Sequence, residues 1–330
     1  MHSELVSVVI PNWNGRELLA QCLPAVLSQT YAPIEVIVVD NGSHDSSADW
    51  VASNFPDITL IRNAINMGFA VGSSLGIKQS SGAFVATLNN DAYANPDWIA
   101  VLVNVIEKDP QIGMCASQMV LHSDPGRIDS AGIAIDRAGI AWDRLGGQPV
   151  SASESAPIEV FGPCAGAALY RRAMLDDIGF FDEDFFMYLE DVDLAWRARL
   201  RGWRCLYVPD AVVHHVHSAS GREGSPFKRQ LLGRNKVWTI VKNYPSPALW
   251  AYLPAILAYD LGAVLFALLF QRDVNPLLGR LRSLPGLPRM WAKRRAIQRR
   301  RTVSWRELAS FIQPPAYPWQ VHSRYKHLIP

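Results

Sequence analysis

The feature that most constrains this chain is an alternation repeated along its first third. The short β-branched runs "LVSVVIP" (5–11) and "IEVIVVDNGS" (34–43) each end in turn residues. Between them, "GRELLAQCLPAVLSQ" spaces Leu18, Leu19, Leu23, Val26 and Leu27 at helical intervals. A near-continuous apolar strand is one buried on both faces, and a helix between two such strands is the crossover of a parallel pair. The unit recurs as a helix near 46–54, the strand "ITLIRN", a helix over 68–79, the strand "AFVATLNND" and a helix over 96–108. This predicts an α/β protein with an open, Rossmann-like, mostly parallel sheet and flanking helices. Ligands of such sheets lie outside the carboxyl ends of the strands, where Asp40 and Asp91 stand.

From about residue 112 the pattern shifts to shorter strands and Gly-rich turns, with a polar stretch, "GGQPVSASESAP" (146–157), that reads as a mobile or plain surface loop. After 225 the chain turns helical, aromatic and then basic. Residues 271–330 hold 13 Lys/Arg against 2 Asp/Glu, whereas the first 270 hold 19 against 28. A basic tail suggests a polyanionic partner, but no nucleic-acid module is present, so nucleic acid is not expected. The four cysteines show no C-x-x-C spacing, which argues against a disulfide framework or zinc knuckle and for a reducing cytosol. The first strand follows "MHSE" with no basic segment before it, so no signal peptide is expected.

Several clusters could carry chemistry. Asp40 leaves a buried strand into an Asn-Gly turn, where it either accepts from the imide N–H of a pyrimidine or caps the turn. Gly68, Gly72 and Gly76 form a helical stripe that permits close approach to a sheet or a ligand. "LNNDA" (88–92) ends a strand with two amides and the Asp91 carboxylate, a set suited to a hard divalent cation and its diphosphate, or to an ordinary turn. In "VPDAVVHHVHSASG", alternation puts His215 and His217 on one side of an extended segment and His214 on the other, as metal ligands or as a surface cluster. Finally, "YLEDVDLAWRARLRGWR" crowds Glu190, Asp191 and Asp193 into four positions. Crowded carboxylates raise one another's proton affinity, which suits a general base. Asp193 is spaced to pair with Arg197 as an exposed helix pair, while a helix N-terminus accommodates one or two acids without function.

Taken in order, "VVIPNWNG", "IVVDNGS", "NMGFAVG", "LNNDA", "FGPCAGAALYRR", "GFFDEDFFMYLEDVDLAWR" and "VPDAVVHH" resemble the inverting family-2 glycosyltransferases of the GT-A fold, particularly their bacterial rhamnosyltransferase-like branch. The resemblance runs from about residue 5 to 245. It implies a catalytic domain over 1–225, with a nucleotide-sugar half to about 111 and an acceptor half over 112–225. Asp40 matches the acid that contacts the donor pyrimidine, with Pro11 and Asn12 in the same pocket. Asn66 and Gly68 match the donor-side loop, and Asn90 joins the donor set. Asp91 matches the last acid of the metal-binding D-x-D element, although Asn89 stands where its first Asp usually is. His215 matches a metal or diphosphate ligand, so Mg²⁺ or Mn²⁺ is the implied cofactor. Asp191 matches the general base, and Glu190 would bind the acceptor sugar or orient that base. "GPCAGAALYRR" would form an acceptor floor in which Gly166 lies against the sugar and Arg171 or Arg172 meets a phosphate. The implied reaction moves one sugar, L-rhamnose from a thymidine diphosphate donor as first choice, to a lipid-linked or cell-surface saccharide. A uridine diphosphate hexose and a silent nucleotide-sugar-binding protein are the alternatives. No Q-x-x-R-W element follows the acidic motif, which argues against a processive synthase.

"ALWAYLPAILAYDLGAVLFALLF" (248–270) is long enough as a helix, about 34 Å, to span a bilayer. Pro254 interrupts it, however, and Asp260 would sit at mid-depth at a cost of about 2.5–3.5 kcal/mol. A helix in or re-entering the interface therefore competes with a span and with a buried core helix. With the basic, Trp-bearing "RMWAKRRAIQRRR" behind it, residues 226–330 read as a helical region that holds the protein on an anionic membrane from the cytosolic side.

Overall fold

The computed structural model describes residues 3–216 and 224–315; His217 lies outside the described residues. At its centre are the strands marked by the alternation: β1 (Val6–Asn12), β2 (Ile34–Asn41), β3 (Thr59–Asn63) and β4 (Phe84–Leu88). They are mutually parallel in the order β4-β1-β2-β3. The crossovers are α1 (Arg16–Leu27), α2 (Ser47–Asn54) and α3 (Gly68–Gln79). Side-chain alternation divides each strand between two cores. Val8 and Ile10 face Leu19, Leu23 and Trp98, whereas Val9, Ile37 and Val39 face Ile77, Tyr170 and Trp196.

The second half extends this sheet with β5 (Ala92–Ala94), β6 (Ile112–Leu121), β7 (Asp124–Ser130), β10 (Ile158–Glu159), β11 (Ala167–Arg171) and β12 (Arg204–His215). A small separate sheet holds β8 (Ile133–Asp136), β9 (Ala141–Asp143) and β13 (Ile312–Gln313). In the large sheet β11 runs antiparallel between β4 and β6, and β12 lies parallel to β6. The flanking helices are α4 (Trp98–Ile106), α5 (Arg172–Ile178) and α6 (Glu190–Leu200). The polar stretch at 146–157 is tied down: Arg144 makes a two-armed bond to Glu154 at 2.9 and 2.6 Å.

The glycine stripe on α3 serves packing. A Cβ on Gly76 would lie 2.3 Å from Val9 of β1, and one on Gly68, at φ +85°, would lie 2.4 Å from the Phe186 carbonyl.

The last third is helical: α7 (Pro226–Asn243), α8 (Ser246–Phe270), α9 (Asn275–Ser283), α10 (Leu287–Arg299) and α11 (Trp305–Ala309). Helix α8 buries Leu249, Ile256 and Ala267, while Trp250, Leu257, Leu261, Leu265 and Leu269 stand exposed. Asp260 is on the inward side, accepting from Lys236 Nζ at 3.0 Å and Arg280 Nη2 at 2.5 Å. Its charge is thus matched inside the protein, and the mid-bilayer cost reckoned from the sequence does not arise. Part of the basic tail is also paired with carboxylates of the protein. Arg289 and Lys293 pair with Asp184, and Arg300 pairs with Asp177. A cavity of about 580 Å³ lies where α10 meets the 177–184 segment, and its lining includes these paired cations.

Candidate active site

A cavity of about 530 Å³ opens at the carboxyl ends of β1 and β4, and Pro11, Asn12, Asn66, Gly68, Asn89, Asn90, Asp91, Gly166, Glu190, Asp191 and His215 all line it. Residues up to 204 positions apart in the chain therefore meet where an open parallel sheet places its ligands. Asp40 and Arg171 are not among the lining residues.

At the end of β1, Asn12 is the hinge of a hydrogen-bond chain. Its Nδ2 donates to Asp40 Oδ1 at 3.1 Å, and its Oδ1 accepts from Asn90 Nδ2 at 2.7 Å. Asp40 Oδ2 accepts from the Ser43 amide at 3.0 Å, so this buried carboxylate braces the Asn-Gly turn from beneath. Gly42 has φ +68°, and a Cβ there would strike the Ile65 backbone, so the turn requires glycine. Asn66 accepts from the Gly68 amide at 2.9 Å and shapes the entry to α3.

Deeper in the cavity, His215 Nε2 lies 3.2 Å from Asp91 Oδ1, and its Nδ1 lies 2.6 Å from Asp129 Oδ2. Burial would lower the proton affinity of this imidazole, but hydrogen bonds to the two carboxylates and their charges outweigh it and raise the pKa to about 10. His214 is absent from the cavity wall, as strand alternation requires. Among the described residues no group of three or more acidic, His or Cys side chains forms a complete cation cage. Asp91 and His215 nevertheless fit a divalent cation as a two-ligand site whose remaining positions water and a diphosphate would fill.

The opposite wall is the start of α6. Asp191 Oδ2 accepts from the Ala165 amide at 3.3 Å and Oδ1 from the Val192 amide at 2.7 Å. Burial raises its proton affinity above that of an ordinary aspartate, against the lowering effect of those two amides. Glu190 is raised further, by burial and then by the Asp191 charge, and its Oε2 has no hydrogen bond among the described residues. Burial therefore does most of what carboxylate crowding was expected to do, and the repulsion falls on Glu190.

Two expectations are corrected here. Asp193 is not in an exposed pair: it is fully buried, bonded to Arg197 at 2.9 Å, Lys242 at 2.8 Å and Asn243 at 2.8 Å. Arg171 does not reach an acceptor phosphate. Because β11 runs antiparallel to β4, its last residue pairs with Phe84 at the far end of the sheet, and its guanidinium donates to the carbonyls of Ile106, Asp109 and Ile112. Arg172 likewise donates to the Ile77, Ser80 and Gly82 carbonyls.

The structure also adds residues that the motifs did not mark. Phe186, Tyr188 and Leu189 all have φ between 64° and 68°, a costly conformation for side-chain-bearing residues unless the surroundings impose it. Asn235 of α7, fully buried, imposes it: Nδ2 lies 3.0, 2.9 and 2.7 Å from the carbonyls of Phe185, Met187 and Tyr188. Lys228 and Lys236 of α7 line the cavity, so its wall extends past the boundary at 225 read from the sequence. Asp129 and Asn235 carry no local signal, since the first lies within a strand and the second within a helix.

Residues 7–179, just over half of the chain, match the family model described as glycosyl transferase family 2. An uncharacterized protein of Sinorhizobium fredii is 28% identical over 246 residues, covering 68% of this chain but only 26% of that protein. The N-acetylglucosaminyl-diphospho-decaprenol L-rhamnosyltransferase of Mycobacterium tuberculosis is 26% identical over 67% of this chain and 79% of its own length. Among solved structures, a mannosyltransferase from Pyrobaculum calidifontis in complex with GDP-Man and Mn²⁺ superposes with TM-score 0.54 at 20% identity, over 90% of this chain and 88% of that one. Residues 1–349 of S. aureus TarS in complex with UDP superpose with TM-score 0.56 at 18% identity, over 89% of each chain. The two structures hold different nucleotides, so the shared fold does not choose the base.

Proposed function

Because the chain belongs to glycosyltransferase family 2, we propose that it moves one sugar, with inversion, from a pyrimidine nucleoside diphosphate to a lipid-linked saccharide. The observation that carries this reading is the shared cavity: a half-buried Asp191 of raised proton affinity on one wall, the Asp91–His215 pair on another. Asp191 takes the proton of the acceptor hydroxyl as that oxygen attacks the anomeric carbon from the face opposite the diphosphate. Asp91 and His215 would hold Mg²⁺ or Mn²⁺, which neutralises diphosphate charge when bound. Asn12 and Asn90 shape the nucleotide end, while Gly166 and Glu190 line the acceptor end. L-Rhamnose from a thymidine diphosphate donor is the first choice, supported by the mycobacterial relative's name, which also specifies a lipid-linked acceptor. Asp40 enters this reading as the brace of the pyrimidine pocket, acting through Asn12.

Thermal shift tests the donor assignment. Thymidine or uridine diphosphate with Mn²⁺ is expected to raise the melting temperature, and guanosine diphosphate is not. Asp91→Ala is expected to remove the Mn²⁺-dependent part of that shift and leave the part seen in chelator. Equal stabilisation by guanosine diphosphate contradicts the pyrimidine assignment, and an Asp91→Ala loss that persists in chelator makes Asp91 structural.

The membrane contact is assigned to the outward face of α8, lying in the plane of the interface. Its exposed face has no charge, and Arg272, Arg295 and Arg299, which follow it in the chain, are exposed and suited to anionic headgroups. The double substitution Leu261→Glu, Leu265→Glu is expected to lower binding to phosphatidylglycerol vesicles at least tenfold, because each buried leucine contributes about 1.5–3 kcal/mol. Replacing the three arginines by Gln is expected to weaken binding mainly at low salt. Vesicle flotation reads both, and a full-length chain that never floats would make the apolar face a protein contact.

A further inference from the structure

We propose that Asp129 is a positioning residue of the cation site: it holds the Nδ1 hydrogen of His215 and so reserves Nε2 as the ligand nitrogen. The inference rests on the reading that Asp91 and His215 bind the cation.

The three residues come from separate segments. Asp91 precedes β5, Asp129 is on β7, and His215 ends β12. The sheet brings them together because β12 pairs with β5 on one edge, His215 opposite Ala92, and with β6 on the other, which in turn pairs with β7. The contacts are close and dry: Asp129 lies 2.6 Å from Nδ1, and the side chains of Asp91, Asp129 and His215 are 7%, 6% and 10% exposed.

A neutral imidazole carries one N–H and one lone pair, and the partner of one nitrogen decides the role of the other. A carboxylate accepts but does not donate, so Asp129 keeps the hydrogen on Nδ1. Nε2 faces Asp91 and the cavity, so a cation bound there would displace the proton that Nε2 shares with Asp91 and take that lone pair, while Nδ1 keeps its hydrogen on Asp129. Without Asp129 the ring is free to place its hydrogen on Nε2, where it offers a cation nothing.

Asp129 also bears on the departure at position 89. With Asn89 in place of an aspartate, the motif supplies one carboxylate rather than two. A carboxylate behind the imidazole increases the electron density at Nε2 and brings negative charge to the site through the ring. Asp129 thereby restores part of what Asn89 removes, from a strand that the motif does not include.

The test uses the full chain and Mn²⁺ as probe, with binding read from the electron paramagnetic resonance of free Mn²⁺ in the presence of uridine diphosphate. Asp129→Ala is expected to weaken Mn²⁺ binding about 10–100-fold. Asp129→Asn, whose amide oxygen still accepts from Nδ1–H, is expected to fall between that variant and the wild type. It also serves if the alanine variant does not fold. In a His215→Ala background, Asp129→Ala is expected to change Mn²⁺ affinity no further, because Asp129 acts through the ring. Mn²⁺ affinity within twofold of wild type in both Asp129 variants overturns the proposal, as does a further loss in the His215→Ala background. If Asp91→Ala and His215→Ala also leave Mn²⁺ binding unchanged, the cation-site reading falls with it. If they abolish binding and Asp129→Ala does not, only the positioning role falls.

Discussion

Asp191→Asn is expected to lower the transfer rate by about 10²–10⁴-fold, the usual share of general-base catalysis, with little change in donor affinity. The substitution keeps the shape of the side chain and one of its two oxygens, so the Val192 amide keeps its acceptor and only the longer bond from the Ala165 amide is lost. What it removes is the site that takes the acceptor proton. Steady-state kinetics and donor titration separate the two effects: kcat falls and the donor dissociation constant stays within about threefold. The pH dependence carries the same signature. Burial raises the Asp191 pKa, and the base works only when ionised, so the rate falls as pH is lowered. Its midpoint lies above the pKa of about 3.9 of an ordinary aspartate. An Asp191→Asn enzyme that keeps more than a tenth of its rate would transfer the role to another group.

The second large effect falls on stability. Asp193→Ala is expected to cost about 3–5 kcal/mol, the usual result of removing one partner from a buried ion pair. Lys242 and Arg197 are both buried beside it, and Lys242 also meets Asp182. Removing the Asp193 carboxylate leaves two buried cations with less counter-charge and Asn243 Nδ2 without its acceptor. Urea denaturation measures the loss, and a cost below about 1 kcal/mol would mean that solvent reaches the cluster. The cluster ties α7 to α6, the helix that carries Asp191, so the C-terminal third also braces that wall of the cavity.

Much of this arrangement was legible in the sequence, because periodic patterns report local structure. The apolar runs ending at Asn12, Asn41 and Leu88 are the carboxyl ends of parallel strands, and the residues placed there do line or brace one cavity. The glycine stripe at 68, 72 and 76 is a close-packed face of α3. What escaped are contacts between distant segments. Asp129 meets His215 from 86 positions away, and Asn235 holds the Tyr188 carbonyl from 47. Neither leaves a periodic trace. Arg171 stands away from the place the resemblance implies for a related reason: composition does not reveal that β11 reverses direction, and that reversal carries its guanidinium to the far end of the sheet. Asp260 read as a charge within an apolar run because its partners, Lys236 and Arg280, lie on other helices.

The account is tested most directly by the anomeric configuration of the transferred sugar, read by proton NMR of the product. A base on the face opposite the departing diphosphate requires that configuration to be the reverse of the donor's. Retention of the donor's configuration would contradict the role given to Asp191 and the single-displacement chemistry built on it.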